Sequence, residues 1–237
     1  METELLARPA KVEQARVKYV IDGKNYVRVT SILKMIDKPG LFTWGATIGL
    51  AEANRIMETR AEFGTSVHGH VAGILRGDPT DVDEISDYEM RGCVKAFLRW
   101  KEKRKFGAYQ TEAVIYSRQY GYAGTTDFFG YLDGIPTIVD WKTSKDVYAE
   151  SFLQVAAYAQ GVLEMTGSYP MMGGIVSLQE EKYIYKFIDG ATMQGLFPVF
   201  LAARDIYSWK NAPWLNKIQV EKGVVEDVEN IEREEAD

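Results

Sequence analysis

The sequence predicts an α/β (α+β) domain, with a central mixed β-sheet flanked by helices and a helical N-terminal part. Three observations lead there. Apolar residues recur at helical spacing through much of the first 105 residues and at strand spacing from about 110 onward. Three strand-like runs joined by short turns form a meander, and a helix-length run separates them from two more strands. A chain of 237 residues can bury roughly 70–75% of its unfolded surface, so one core suffices.

The elements follow in order. Residues 18–33 read as a hairpin about Asp22-Gly23, a turn pair that favours positive φ, flanked by β-branched and aromatic residues. Thr30 or Ser31 is a candidate cap for a short helix that stops at Lys38-Pro39-Gly40. Thr43 is placed to cap a helix towards Glu62, with Trp44, Ile48, Leu50 and Ile56 for burial. Gly64-Thr65 is expected to break that helix, with Thr65 capping a new one that carries Val67, His68, Val71 and Leu75. Arg76-Gly77-Asp78-Pro79 ends it. An amphipathic helix is expected over 83–105, burying Ile85, Met90, Val94, Phe97, Leu98 and Trp100. Strands follow at 110–118, 122–132 and 136–143, turning at Tyr120-Gly121 and Asp133-Gly134. A helix runs from about Ser151 to Met165, then strands at 171–178 and 182–188, then a helix over about 191–209.

This is one domain over residues 1–220, with a hairpin and helical part to about 105 and a core over about 106–210. Residues 221–237 form an acidic tail, expected to be solvated and poorly ordered. The tail holds eight acids and two bases, which accounts for the whole net charge of −6 and leaves the body balanced at 26 against 26. A balanced body does not exclude nucleic acid, because a binding track need only be basic locally. Apolar residues at 46% and charged residues at 26% are ordinary globular values. The single cysteine, Cys93, excludes an internal disulfide and a four-cysteine cluster, and it is expected in the core of a protein from a reducing compartment. The first twenty residues are charged and lack an apolar stretch, and no run of about 18 apolar residues occurs, so neither a signal peptide nor a membrane span is expected.

The chemistry is concentrated in the meander. In Val139-Asp140-Trp141-Lys142, alternation puts Ile138, Asp140 and Lys142 on one face and Val139 and Trp141 on the other. The Asp133-Gly134 turn lies midway between Asp127 and Asp140, so folding the hairpin sets these two opposite each other, with Cβ atoms ~4.5–5.5 Å apart. Two carboxylates there repel unless a cation lies between them or one is protonated. Two carboxylates and a lysine around one point suit Mg²⁺ or Mn²⁺ held by oxygens, with Lys142 facing a phosphate or the attacking water.

Asp127 followed by Asp140-Trp141-Lys142 resembles the signature of the PD-(D/E)xK nuclease superfamily, and more closely its RecB-type and phage exonuclease branch. Gly64-Thr65-Ser66-Val67-His68 resembles that branch's helical histidine motif, Glu112 holds the place of an acidic residue on the first core strand, and Gln154 with Tyr158 resembles its Gln-x-x-x-Tyr motif. The motifs cover about residues 60–165, and their order and spacing carry more weight than any one alone.

The resemblance implies a restriction-endonuclease-like core and hydrolysis of DNA phosphodiesters. It implies Asp127 and Asp140 as metal ligands, joined by His68, the Trp141 backbone carbonyl and Glu112. Lys142 would orient the water and offset charge, and Gln154, Tyr158, Thr143 and Ser144 would support the site or contact DNA. The expected cofactor is Mg²⁺ or Mn²⁺ without an iron–sulfur cluster, since relatives that carry a cluster need cysteines this chain lacks. The expected activity is that of a stand-alone exonuclease in phage-type recombination or repair, acting in the (host) cytoplasm beside DNA and a single-strand annealing or other recombination protein. An endonuclease of the same superfamily, a non-catalytic DNA-binding relative and a hydrolase of another substrate remain as alternatives. Tyr116, Tyr120 and Tyr122 are read either as base-stacking groups or as hairpin packing pairs, and His70 is given no role.

Overall fold

The computed structural model describes residues 5–6, 11–14 and 18–213, and the acidic tail expected over 221–237 lies outside these. Two hairpins open the fold with β1 (Val12–Gln14), β2 (Lys18–Ile21) and β3 (Lys24–Arg28). Asp22 and Gly23 take φ 48° and 79°, the turn expected of this pair. Helices α1 (Val29–Leu33), α2 (Pro39–Ile48), α3 (Leu50–Arg76) and α4 (Tyr88–Glu102) follow. The meander is β4 (Phe106–Ser117), β5 (Tyr122–Leu132) and β6 (Ile135–Lys142). Helix α5 (Glu150–Thr166) crosses to β7 (Met172–Gln179), which is paired with β8 (Lys182–Asp189), and α6 (Gly190–Lys210) follows.

The result is a mixed eight-stranded sheet flanked by helices, as expected of an α+β fold. Its order is β1-β2-β3-β5-β6-β7-β8, with β4 on the other edge of β5. The β3–β5 and β6–β7 pairs are parallel and the rest antiparallel. Each sheet face has its own core. On one, Ile115, Tyr122, Ile138 and Ile175 pack with α5 and α6. On the other, Phe128, Val139, Trp141 and Val176 pack with Val67, Val71, Phe97 and Trp100 from α3 and α4. Ile138 and Val139 therefore point to opposite faces, as alternation predicts. Cys93 is buried and its thiol meets the Leu178 carbonyl at 3.3 Å. Among the described residues no helix is long and apolar enough to cross a membrane.

Several expected helix boundaries are corrected. Gly64 and Thr65 do not break the chain, because α3 runs without interruption from Leu50 to Arg76. The Thr65 and Ser66 hydroxyls donate back to the carbonyls of Ala61 and Glu62 at 2.9 and 3.1 Å, so neither acts as a cap. Burial of Val67, Val71 and Leu75 outweighs the ~1 kcal/mol cost of one helical glycine. The break falls at Gly49 instead, at φ 90°. Thr43 lies inside α2 and donates back to Pro39, while Thr30 and Ser31 lie inside α1, which starts after Arg28. Helix α4 begins at Tyr88 rather than 83, capped by Asp87, whose carboxylate accepts from Met90 N at 2.8 Å. Ile48 and Leu50 are exposed and Trp44 and Ile56 half-buried, so that stretch supplies less core than expected. The three tyrosines pack within the fold: Tyr122 is buried, Tyr116 meets Tyr26 and Tyr120 meets Phe197.

Trp141 is fully buried, with ring centroids 5.3 Å from Phe97 and 5.1 Å from Trp100. Replacing it with Ala is expected to cost about 3–5 kcal/mol in urea unfolding. A loss below about 1 kcal/mol would mean that this cluster does not hold the sheet to α4.

Candidate functional site

The site grows out of an opening in the sheet. Strand β4 pairs along β5 on one edge. On the other edge β6 pairs with residues 128–132 and β3 with residues 122–123. The β5–β6 ladder stops at Phe128 opposite Val139, while β6 continues beside β7 to Lys142 opposite Ser177. The next pair in register is Asp127 and Asp140, as the Asp133-Gly134 turn predicts. The edge of β5 is bare of strand partners between Ala123 and Phe128, so the two strands part at the two aspartates.

Side chains take over where the ladder ends. Asp127 Oδ2 accepts from the Trp141 backbone N–H at 2.7 Å, and its Oδ1 lies 3.0 Å from Nδ1 of His68. Asp140 Oδ1 accepts from Gln154 Nε2 at 2.7 Å. Its Oδ2 forms an ion pair with Lys142 Nζ at 2.7 Å. Lys142 donates to Gln154 Oε1 at 3.1 Å, and Gln154 Nε2 donates to the Tyr158 hydroxyl at 3.1 Å. One glutamine on α5 thus grips both members of the pair. Gln154 and Tyr158 are one helical turn apart, as their spacing requires.

Glu112 approaches from β4. Its neighbours pair as Thr111 with Phe128 and Ala113 with Thr126, which brackets Glu112 against Asp127 without a ladder pair between them. Its φ is 50°, a left-handed backbone that costs a non-glycine residue about 1–3 kcal/mol. Thr111 Oγ1 donates to the Asp127 carbonyl at 2.8 Å and ties this irregular point of β4 to the site. Ligand atoms of His68, Glu112 and Asp127 all lie within 4.8 Å of one another. One imidazole nitrogen and two carboxylates form a candidate group for a divalent cation that prefers oxygen ligands.

Of the ligands the resemblance implied, His68, Glu112 and Asp127 lie within 4.8 Å of one another, and Asp140 lies beside them in contact with Lys142 and Gln154. At Trp141 the contact with the site runs through its N–H, and its indole lies in the core of the other sheet face. Thr143 lines the cavity beside Lys142. Ser144 does not. Its hydroxyl donates to the Asp146 carbonyl, and its own carbonyl accepts from Ser177 Oγ and Gln179 Nε2.

Charge shapes the protonation states. Burial works to lower the His68 pKa, but the Asp127 carboxylate and its hydrogen bond, aided by Asp140, raise it to about 9. The imidazolium is then the cation that two facing carboxylates require. Desolvation, with the Asp127 charge, lifts Glu112 to about 7, although much of the residue is exposed at the cavity rim. Burial also pushes Asp140 up, against the Lys142 ammonium. Lys142 is held protonated by Asp140 despite burial of its stem. With 29% of its side chain exposed, its amine reaches the cavity.

Gly124, which the sequence reading passed over, is part of this machinery. A Cβ there would lie 2.6 Å from Tyr158 Cε1 and 2.8 Å from its hydroxyl. Tyr158 is buried and has nowhere to swing. The only sequence signal was a glycine inside a strand, which marks close approach of another group.

No known family profile matches the chain, and none of the curated proteins matches it. Among solved structures it is similar to the crystal structure of SSO0001, at 14% identity over 86% of this chain and 81% of that one, with a TM-score of 0.40. At that score no functional argument follows.

Two measurements check the site. The chain has two histidines, so ring NMR in metal-free buffer can follow each. His68 is expected to titrate near 9, and Asp127→Asn to bring it down by more than one unit. A raised folded value means that the pair's stabilisation is complete below the ordinary value of 6.5 and is lost as pH rises through about 9. An unmoved midpoint in Asp127→Asn would disprove the pairing. Gly124→Ala is expected to destabilise by roughly 1–3 kcal/mol through overpacking. Adding Tyr158→Ala should recover part of that loss, and strict additivity in the double-mutant cycle would mean that the two do not touch.

Proposed function

We propose that the chain is a metal-dependent DNA nuclease of the PD-(D/E)xK type, acting as a stand-alone exonuclease. The observation that supports this most is the convergence of Asp127, Asp140, Lys142, His68 and Glu112 on one cavity of about 800 Å³ at the parting of β5 and β6. These residues lie between positions 68 and 142 on one helix and three strands, and a set of unrelated residues has no reason to meet there.

The donor set fits the cation. Asp127 and Glu112 would hold Mg²⁺ or Mn²⁺, with Asp140 beside them, and His68 would join only as the neutral imidazole, once the cation displaces the proton it carries in the metal-free protein. When bound, the cation supplies Lewis-acid stabilisation of charge on the phosphoryl oxygens. The chain's own residues do the rest. Lys142 presents a protonated amine to the phosphate and offsets its charge. Asp140 sets the position of that amine, and Gln154 fixes both against rotation. Tyr158 fixes Gln154 in turn, and the Trp141 N–H orients Asp127.

The test is a time course on linear DNA labelled separately at its 5′ and 3′ ends, single- and double-stranded, with Mg²⁺, Mn²⁺ or EDTA. Label should be lost only with metal, and Lys142→Ala should slow the loss by about 10²-fold or more while still binding DNA. A closed circular plasmid should survive, and its linearisation would select an endonuclease. No cleavage by the wild type with any metal would overturn the proposal.

A further inference from the structure

Helix α2 is rich in apolar residues and buries none of them. Leu41, Phe42, Trp44 and Ile48 lie along its ten residues, and Phe42 is 79% exposed. The chain turns back at Gly49, and a Cβ on Gly45 would lie 3.5 Å from that of Ala53 on α3. The two helices and the turn after α1 enclose a groove of about 810 Å³, lined by Met35, Ile36, Trp44 and Met57. Leu50, which also lines it, is 75% exposed. Apolar surface gathered in one place in this way marks a binding face, unlike single exposed apolar side chains.

The groove is also basic. Lys34, Lys38 and Lys210 line it against one acid, Asp37, and Lys38 is paired with Glu150 at 3.1 Å. Lys210 is the last residue of α6, so the chain passes this groove as it leaves the described residues at Pro213. The sequence beyond suits the groove in both respects. Residues 221–237 hold eight acids and two bases. Within them Val224, Val225, Val228 and Ile231 recur at spacings of three and four, the pattern of one helix face. The residues 214–223 reach roughly 33–36 Å when extended, enough to return to a groove that Lys210 itself lines. A second copy of the chain suits it less, because two-fold pairing of this groove with itself would set lysines against lysines.

We infer that this groove is the docking site of the chain's own acidic segment, residues 221–237, with Val224, Val225, Val228 and Ile231 covering the apolar side chains of α2 and the neighbouring acids meeting Lys34 and Lys210. A segment tethered this way binds at an effective concentration on the order of mM, so a weak contact holds it. Exposed ion pairs add little by themselves. The apolar face therefore supplies most of the affinity, and the lysines select an acidic segment over a neutral one.

The test reads the accessibility of a thiol placed in the groove of the full chain. Ala46 lines the groove and is exposed, so Ala46→Cys puts the thiol there, while Cys93 is buried and gives a low background. Labelling by a neutral maleimide is timed in this variant and in one that adds Val228→Ser and Ile231→Ser. The added changes should speed labelling about 10-fold or more, with the melting transition of the core retained. Lys34→Glu with Lys210→Glu should speed it with the tail unaltered. Gly195→Cys is the control, exposed on α6 about 22 Å of helix from Lys210, and should label equally with either tail. Equal labelling of Ala46→Cys with either tail would overturn the docking, and unchanged labelling after the lysine changes would overturn the pairing of charge. Protection that grows with protein concentration would give the groove to a second copy and overturn the docking as well.

Discussion

Two carboxylates in register across a hairpin are a repulsive arrangement, and the structure around residues 127 and 140 is organised by that repulsion. The β5–β6 ladder ends one residue before the two would pair. Each carboxylate then turns to its own partners: the Trp141 N–H and His68 for Asp127, Lys142 and Gln154 for Asp140. The opening that results is what makes room for a cavity in an otherwise continuous sheet. Buried charge is costly unless paired, so the partners are as much a condition of folding as of any chemistry.

Those partners come from both sides of the sheet. His68 belongs to α3, whose Val67 and Val71 pack on one face, while Gln154 and Tyr158 belong to α5, which packs on the other. The two helices meet the same pair of aspartates through the gap between strands. Packing of each helix against its own core fixes where its polar side chains arrive. Gly124 sits where the edge of β5 is bare and lets Tyr158 lie against it, and so the position of Gln154 depends on a missing methyl group.

Glu112 shows the complementary device. A strand residue held at φ 50° departs from the pleat that its neighbours keep, and the fold bears the strain where β4 faces Asp127. Backbone strain held in place by surrounding pairing is common where a side chain must point in a specific direction. Desolvation at that position, with the Asp127 charge beside it, raises the Glu112 carboxyl to about 7.

Much of this was legible in the sequence. The Asp133-Gly134 turn and the alternation of Ile138, Val139, Asp140, Trp141 and Lys142 are local signals, and they settled register and facing because backbone geometry over a few residues follows from the residues themselves. The mixed sheet flanked by helices followed from the change of period for the same reason. Sequence misjudged α3, where Gly64 and Thr65 look like a break. Packing of Val67, Val71 and Leu75 overrides a local cost of about 1 kcal/mol, and no local window contains the partners that supply it. The resemblance named His68 and Glu112 beside Asp127, but only the tertiary structure shows the contacts themselves: His68 on Asp127 across 59 residues, Glu112 facing both, Gln154 holding Asp140 and Lys142, and a bare Gly124 against Tyr158. Each of these joins residues from different elements, set by how two cores pack against a shared sheet.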